Sequence, residues 1–158
     1  MKIFYLSPTD KDMVSRLYPL VSRNLDRLTP WFEWAKQIHT PMDLDIVFWR
    51  WRYSESACMM LYEIQDDKGN PIGLIRVSCP NRADGIYSLM YFLDREWEGK
   101  GIMAKALNDV MAGWWSRARW RIQAHPENQR SQKLALRLGF QRVGQSDNGE
   151  LIFEGSPL

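Results

Sequence analysis

Two short stretches of this 158-residue chain carry residues whose types and spacing could do chemistry. The first is Gly99-Lys100-Gly101, set between an apolar segment, Ile86 to Leu93, and an amphipathic run that begins at Ile102. Glycines at a strand-to-helix junction leave backbone N–H groups bare, and the helix dipole favours an anion there. Without a Cβ the backbone also lets a phosphate come close. The same glycines would be needed if the turn simply required their backbone freedom. The spacing is not that of a nucleotide P-loop, G-x-x-x-x-G-K-[ST], because Ile102-Met103 follow Gly101. It is not a dinucleotide fingerprint either. No third glycine follows at the right place, and the acidic residue expected after the next strand is missing. The second stretch is His125-Pro126-Glu127-Asn128-Gln129-Arg130-Ser131. Asn128 is a good helix N-cap, and Ser131 falls in the first turn that it caps. Read locally, both residues serve the helix.

These motifs need elements to hold them. Ile102, Met103, Ala106, Leu107, Val110, Met111, Trp114 and Trp115 recur at helical spacing and lay one apolar stripe. Trp120 to Ala124 alternates as a short strand that Pro126 ends. Ser131, Leu134, Ala135 and Leu138 share a helical face, Gly139 fits a C-cap, and Phe140 starts the next strand. Upstream, Lys2 to Leu6 reads as a strand and Ser7-Pro8-Thr9-Asp10 as a helix start. Val14, Leu17, Val21 and Leu28 mark the face of that helix, with Pro19 as an interruption. Thr40-Pro41-Met42-Asp43 repeats the start signal before a helix to about Trp51. Ala57 to Gln65 and Pro71 to Cys79 are strands joined by the turn residues Asp66 to Asn70. Pro80 to Gly85 is a second turn, and Leu151 to Glu154 is a last strand after Asp147-Asn148-Gly149. Antiparallel strands first and strand–helix alternation after them predict one α+β domain over residues 1–158. Its centre is a mixed, mostly antiparallel sheet of roughly six to seven strands flanked by about four helices.

Glu98 to Leu107 (EGKGIMAKAL), His125 to Ser131 (HPENQRS) and Leu136 to Phe140 (LRLGF), in this order and at these spacings, closely resemble the GCN5-related N-acetyltransferases (GNAT). The resemblance is nearest to the branch that acetylates N-terminal amines of ribosomal proteins. Leu28-Thr29-Pro30-Trp31-Phe32-Glu33-Trp34 looks like that branch's first-helix region. The resemblance is strong over residues 70–144 and weaker before them. It implies a GNAT-type fold, acetyl-coenzyme A (acetyl-CoA) as cosubstrate, and direct attack by a primary amine in a ternary complex. That amine is a protein N-terminus or a small molecule. The resemblance implies that Glu98, Gly99, Lys100, Gly101, Ile102 and Met103 cradle the donor's pyrophosphate, with Lys100 supplying charge. It implies the backbone N–H of Leu93, or of its neighbour Phe92, against the thioester oxygen. It further implies Ser131 on the departing thiolate and Asn128 on the pantetheine arm. One position departs from the pattern: Glu96, beside Arg95, stands where the family often has Gln or Arg. Ser88 stands where an acid would be sought as general base. Glu33, His39, Glu63, His125, Asp147 and Glu150 remain as candidates, unless water relays the proton.

Composition narrows the partners. At 45% hydrophobic and 25% charged residues the chain has no disorder signature. A net charge of +2 gives no reason to invoke nucleic acid as a main partner. A toxin that acetylates aminoacyl-tRNA is an alternative within the superfamily. It would draw on Arg117, Arg119, Arg121 and Arg130, which read better as a solvated face. A second alternative keeps the fold as a non-catalytic CoA-binding sensor or interaction protein. No apolar run reaches membrane-span length and residues 1–7 are not a signal peptide, so a cytoplasmic protein without a membrane partner is expected. Cys58 and Cys79 read as isolated, free, buried thiols, and His39 and His125 are too scattered for a metal site. Of the eight tryptophans, Trp31, Trp34, Trp49 and Trp51 lie outside the donor-binding core. They read either as helix packing on the sheet or as an apolar acceptor groove or homodimer surface. Interleaved with Glu33, His39, Asp43 and Asp45, they suit an acceptor with a cationic amine and an apolar body. Glu33 and Trp34 are its expected contacts.

Overall fold

Lys2–Leu6 (β1), Cys58–Gln65 (β2), Pro71–Cys79 (β3) and Ile86–Leu93 (β4) pair antiparallel in sequence order. They are seen in a computed structural model that describes residues 1–53, 58–113 and 118–156. Arg119–Ala124 (β5) then lies parallel to β4, and Gln141–Gln145 (β6) and Leu151–Gly155 (β7) extend the sheet antiparallel. The sheet has seven strands in the order β1-β2-β3-β4-β5-β7-β6. It is mixed and mostly antiparallel, as the strand pattern predicts. Among the described residues five α-helices flank it: Met13–Ser22 (α1), Leu25–Leu28 (α2), Pro41–Tyr53 (α3), Ile102–Ala112 (α4) and Gln129–Arg137 (α5).

Each sheet face buries its own apolar cluster. On one face Leu107 and Met111 of α4 and Ala135 of α5 pack with Ile75, Trp120, Ile122 and Phe140. On the other, Leu17 of α1 and Leu44 and Phe48 of α3 pack with Leu61, Leu74 and Phe92. The site lies where these two layers leave the sheet uncovered.

Several local expectations change on contact with the fold. Ser7 to Asp10 does not open a helix. Asp10 instead accepts the Asp12 N–H and pairs with Arg16, and α1 starts at Met13. Pro19 sits inside α1 without ending it: its carbonyl accepts the Arg23 N–H and the helix runs on to Ser22. The break comes at Asn24, whose buried side chain donates to the Leu20 carbonyl and to Asp94. At α3 the predicted start holds: Asp43 accepts the Thr40 N–H at 2.7 Å, and Thr40 Oγ1 accepts the Asp43 N–H at 3.3 Å. Helix α4 runs to Ala112. Trp114, Trp115, Arg117 and Ala57 lie outside the described residues. Cys58, only part-buried, and Cys79, buried, form no disulfide but are not isolated, since they face each other directly across β2 and β3. Burial, with Cys79 alongside, pushes the Cys58 thiol up. The early tryptophans divide. Trp51 is buried, whereas Trp49 lies exposed on α3 with Met42, Ile46 and Tyr53. No helix among the described residues is long and apolar enough to cross a membrane.

Candidate active site

The parallel pairing of β4 with β5 ends at Leu89 and Ile122. Beyond that point β4 stays with β3 as far as Leu93 opposite Gly73, and β5 stays with β7 as far as Ala124 opposite Leu151. The two strands fork, and the fork opens into a cavity of about 1590 Å³. Gly73 backs the fork closely: a Cβ there would lie 2.9 Å from both Leu93 Cδ1 and the Phe92 carbonyl.

Strand alternation decides which backbone groups face the fork. The Asp94 N–H donates to the Ile72 carbonyl on the β3 side, and the Gly85 carbonyl accepts from Arg119 on the β5 side. Groups two residues apart point the same way. The N–H groups of Tyr91 and Leu93 therefore face the gap, and that of Phe92 faces β3. Of the two residues expected to meet the thioester oxygen, Leu93 has the geometry and Phe92 does not. Phe92 lines the cavity as an apolar, buried side chain.

The glycine loop follows. A 3-10 turn over Arg95–Trp97 is closed by the Trp97 and Glu98 N–H groups on the carbonyls of Asp94 and Arg95. Gly99 and Gly101 then take φ of 74° and 73°, a conformation other residues rarely adopt. The first α4 bond comes from the Lys105 N–H to the Gly101 carbonyl. The six N–H groups of residues 99–104 thus have no acceptor among the described residues. A Cβ at Gly99 or Gly101 would meet no atom within 4 Å, so the space in front of these amides is open. Gly99, Gly101, Ile102 and Met103 line the cavity. Lys100 does not; its ammonium lies over the Trp97 ring at 5.0 Å. Glu98 lines the cavity with its carboxylate held by Arg27 of α2 and Arg130 of α5, on opposite walls. Glu96 is exposed and outside the cavity, so the departure at that position leaves the cradle unobstructed.

At the α5 wall Asn128 caps the helix by accepting the Ser131 N–H at 3.2 Å. The Ser131 hydroxyl remains available and lies 2.9 Å from the Tyr91 hydroxyl. Burial pushes Tyr91 up to about 12, with the Ser131 hydrogen bond acting the other way, so its hydroxyl is neutral at pH 7. Sequence reasoning missed Tyr91. Its signal was the alternation of β4, which sets Tyr91 on the same face as Leu89 and Leu93.

The other end of the cavity belongs to the N-terminal half. Trp34 stacks on Phe32 at 5.8 Å and meets Trp51 edge-on at 5.3 Å, and both tryptophans line the cavity. Glu33 lines it too, but its side chain is 80% exposed and paired with Lys36. The candidate bases separate. Glu63 is fully buried, ion-paired with Arg16 and outside the cavity; His39 and Asp147 are also outside it. His125 lines the cavity, its ring 5.7 Å from that of Trp31. Its Nδ1 accepts the Glu127 N–H at 3.1 Å, so the neutral ring carries its proton on Nε2 and cannot take another there. Glu150 lines the cavity just before Leu151, which is paired with Ala124. Of the arginines that a tRNA face would draw on, Arg121 is engaged by Glu154 and Arg130 by Glu98.

A family model described as an acetyltransferase (GNAT) domain matches residues 5–141. No curated protein matches the sequence significantly. Solved structures match over nearly the whole chain. The microcin C7 self-immunity acetyltransferase MccE, in complex with acetyl-CoA and AMP, gives a TM-score of 0.79 at 20% identity, covering 98% of this chain and 92% of that one. The ribosomal L7/L12 α-N-protein acetyltransferase RimL, in complex with CoA, gives 0.76 at 19% identity, covering 98% and 92%. Spermidine N-acetyltransferase from Vibrio cholerae, with CoA and spermine, gives 0.71 at 15% identity, covering 97% and 92%. At these identities the likeness is one of fold.

Proposed function

The chain belongs to the acetyltransferase (GNAT) family, and on that premise we propose that it moves the acetyl group of acetyl-CoA to a primary amine in a ternary complex. The observation that carries this is the row of six unpartnered N–H groups at residues 99–104, opening beside the β4–β5 fork. Such a row at the start of an eleven-residue helix is a site for a pyrophosphate. Bound there, acetyl-CoA would supply an activated acetyl group as a thioester.

The chain's own groups do the rest. The Leu93 N–H, directed into the fork, stabilises negative charge on the carbonyl oxygen as the amine attacks. A C–N bond forms and the C–S bond breaks. The Tyr91 hydroxyl donates to Ser131 Oγ, which frees the Ser131 proton to meet the departing sulfur. Asn128 fixes the turn that presents Ser131 and offers its amide N–H groups toward the pantetheine arm. Glu150 takes the proton that the amine loses, directly or through water.

The test is thiol release from acetyl-CoA across peptides, polyamines, amino acids and aminoacyl-tRNA. Release above hydrolysis with at least one primary amine is expected. Calorimetric binding of acetyl-CoA with no turnover on any amine would replace this function with that of a CoA-binding protein. The similar folds described with AMP and with spermine carry small ligands of opposite charge, so the acceptor's character has to come from this chain's own cleft.

A further inference from the structure

We propose that the outer face of α3 is a docking surface for a second copy of this chain, with the two α3 helices antiparallel across a two-fold axis. The proposal is independent of the acetyltransferase function above.

Helix α3 is apolar on two faces. Leu44, Val47, Phe48 and Trp51 are buried in the core cluster on one side. Met42, Ile46, Trp49 and Tyr53 lie on the other side and are 64%, 49%, 57% and 66% exposed. They are four of the eight large apolar side chains exposed among the described residues, so the exposure is gathered on one stripe rather than scattered. The Trp49 and Tyr53 rings lie 5.6 Å apart and form one aromatic ledge. A helix that is apolar all round is ordinarily covered all round. None of the four lines the cavity, so a bound acceptor does not cover them.

The spacing fixes the kind of cover that fits. Met42, Ile46, Trp49 and Tyr53 recur at the alternating intervals of a coiled-coil seam, which takes another helix. The charges along the seam fix which helix. Asp45, exposed, and Arg52 border the stripe on the same edge, two turns apart. That is roughly 10 Å along the axis, too far for them to pair within one helix. Asp45 has no hydrogen-bond or ion-pair partner among the described residues. Arg52 donates only to neutral groups, the Pro8 carbonyl and the Met13 sulfur, and the acid near it, Asp10, is already paired with Arg16. Two antiparallel copies of α3 bring Asp45 of each beside Arg52 of the other, so the same attraction forms twice. They also oppose the two helix dipoles, which a parallel pair would align. On the far edge Asp43 and Arg50 are held within the chain by Thr40 and Gln37 and add nothing to the seam.

The seam is short. Helix α3 extends roughly 20 Å, so the pairing buries less than a standard interface and gives a reversible dimer rather than an obligate one. Arg50 and Trp51 of the same helix line the cavity, so a partner on the outer face braces that wall.

Sedimentation equilibrium without acetyl-CoA tests this. The average mass of the native chain should rise from one copy toward two through the micromolar range. Trp49→Glu should leave a monomer throughout. Asp45→Arg alone and Arg52→Asp alone should each weaken association roughly tenfold or more, because each sets like charges together at both ends of the seam. An equal mixture of these two variants should associate about as well as the native chain, since each supplies the charge that the other lacks. Thermal melts close to the native Tm show that the variants are folded. Trp49→Glu and Asp45→Arg change exposed side chains, so those two decide the case if Arg52→Asp does not fold. A native chain that stays monomeric at near-millimolar concentration overturns the proposal, whether another protein or a lipid surface covers the stripe instead. A dimer that survives Trp49→Glu overturns it too, as does a mixture of folded charge variants that associates no better than either alone.

Discussion

On one side of the fork the site is made of backbone; on the other it is made of side chains. The wall proposed for the donor is the N–H row of residues 99–104 and the Leu93 N–H, all within a dozen residues of one another. The opposite wall is Trp34, Arg50, Trp51 and Arg76, drawn from the segment after α2, from α3 and from β3. A wall of amides depends on a few φ values and tolerates exchange of most side chains. A wall of side chains keeps its scaffold while its chemistry changes with each substitution. Two solved structures of similar fold hold ligands as different as AMP and spermine.

The largest effect should come from breaking the donor wall. Gly101→Glu is expected to abolish acetyl-CoA binding in calorimetry. A Cβ at Gly101 would meet no atom within 4 Å, so the loss is expected from a carboxylate placed among the bare amides and from the strain of φ 73°. Gly101→Ala isolates the strain, of about 1–2 kcal/mol, and should weaken binding roughly tenfold. If Gly101→Glu is folded and binds normally, the loop is not the donor site.

Ser131→Ala should lower kcat roughly tenfold or more while leaving donor affinity nearly unchanged, because its contact strengthens only as charge develops on sulfur. Tyr91→Phe should cost a few-fold in kcat, since Ser131 keeps its hydroxyl but loses the partner 2.9 Å away. A loss confined to donor binding would make Ser131 a helix-capping residue only.

On the opposite wall, Trp34→Leu should raise the acceptor KM several-fold and spare donor affinity, whereas Glu33→Gln should do little because the carboxylate points to solvent. Equal effects from the two would mean that the segment acts through stability rather than contact.

The smallest effect concerns the hinge beneath the glycine loop. Burial opposes the charge on Asp94, but Arg23 and Asn24 outweigh it and hold its carboxyl below the usual range. A depressed folded pKa stabilises the fold above the unfolded value, about 3.9, and that stability is lost as pH falls through the folded value. Because Arg23 is half exposed, the contribution is on the order of 1 kcal/mol. Asp94→Asn should melt lower than the native protein at pH 7, and the difference should close toward pH 3. A constant difference across that range would assign Asp94 a packing role.

The contrast between the walls also explains what the sequence could show. Gly99, Gly101 and the stripe from Ile102 to Met111 were legible because their physics is local, and Asn128 announced its cap in the same way. The Ser131–Tyr91 contact was not legible, since it depends on how α5 approaches β4, a packing angle that no local pattern encodes. Glu33 and Trp34 stand side by side in sequence, yet one turns to solvent and the other into the cleft. Arg76 stands in mid-strand between the buried Ile75 and Val77, and no local pattern announces that it lines the cavity. The mistaken start at Ser7 has a similar cause: Asp10 meets Arg16 in a turn before the helix begins.

The fork has a further consequence for how the protein avoids sticking to itself. Strand groups without partners ordinarily invite pairing by a neighbouring chain, and proteins guard them at the rims of their sheets. Here the amides of Tyr91 and Leu93, past the last β4–β5 pair, lie at the centre of a seven-stranded sheet. Glu98, gripped by Arg27 and Arg130, ties one wall of the opening to the other. A folded strand from another molecule cannot be laid into such a slot, but a slender chain with amides of its own can. The protein can therefore keep an adhesive edge permanently open for a small guest without offering it as a template for aggregation.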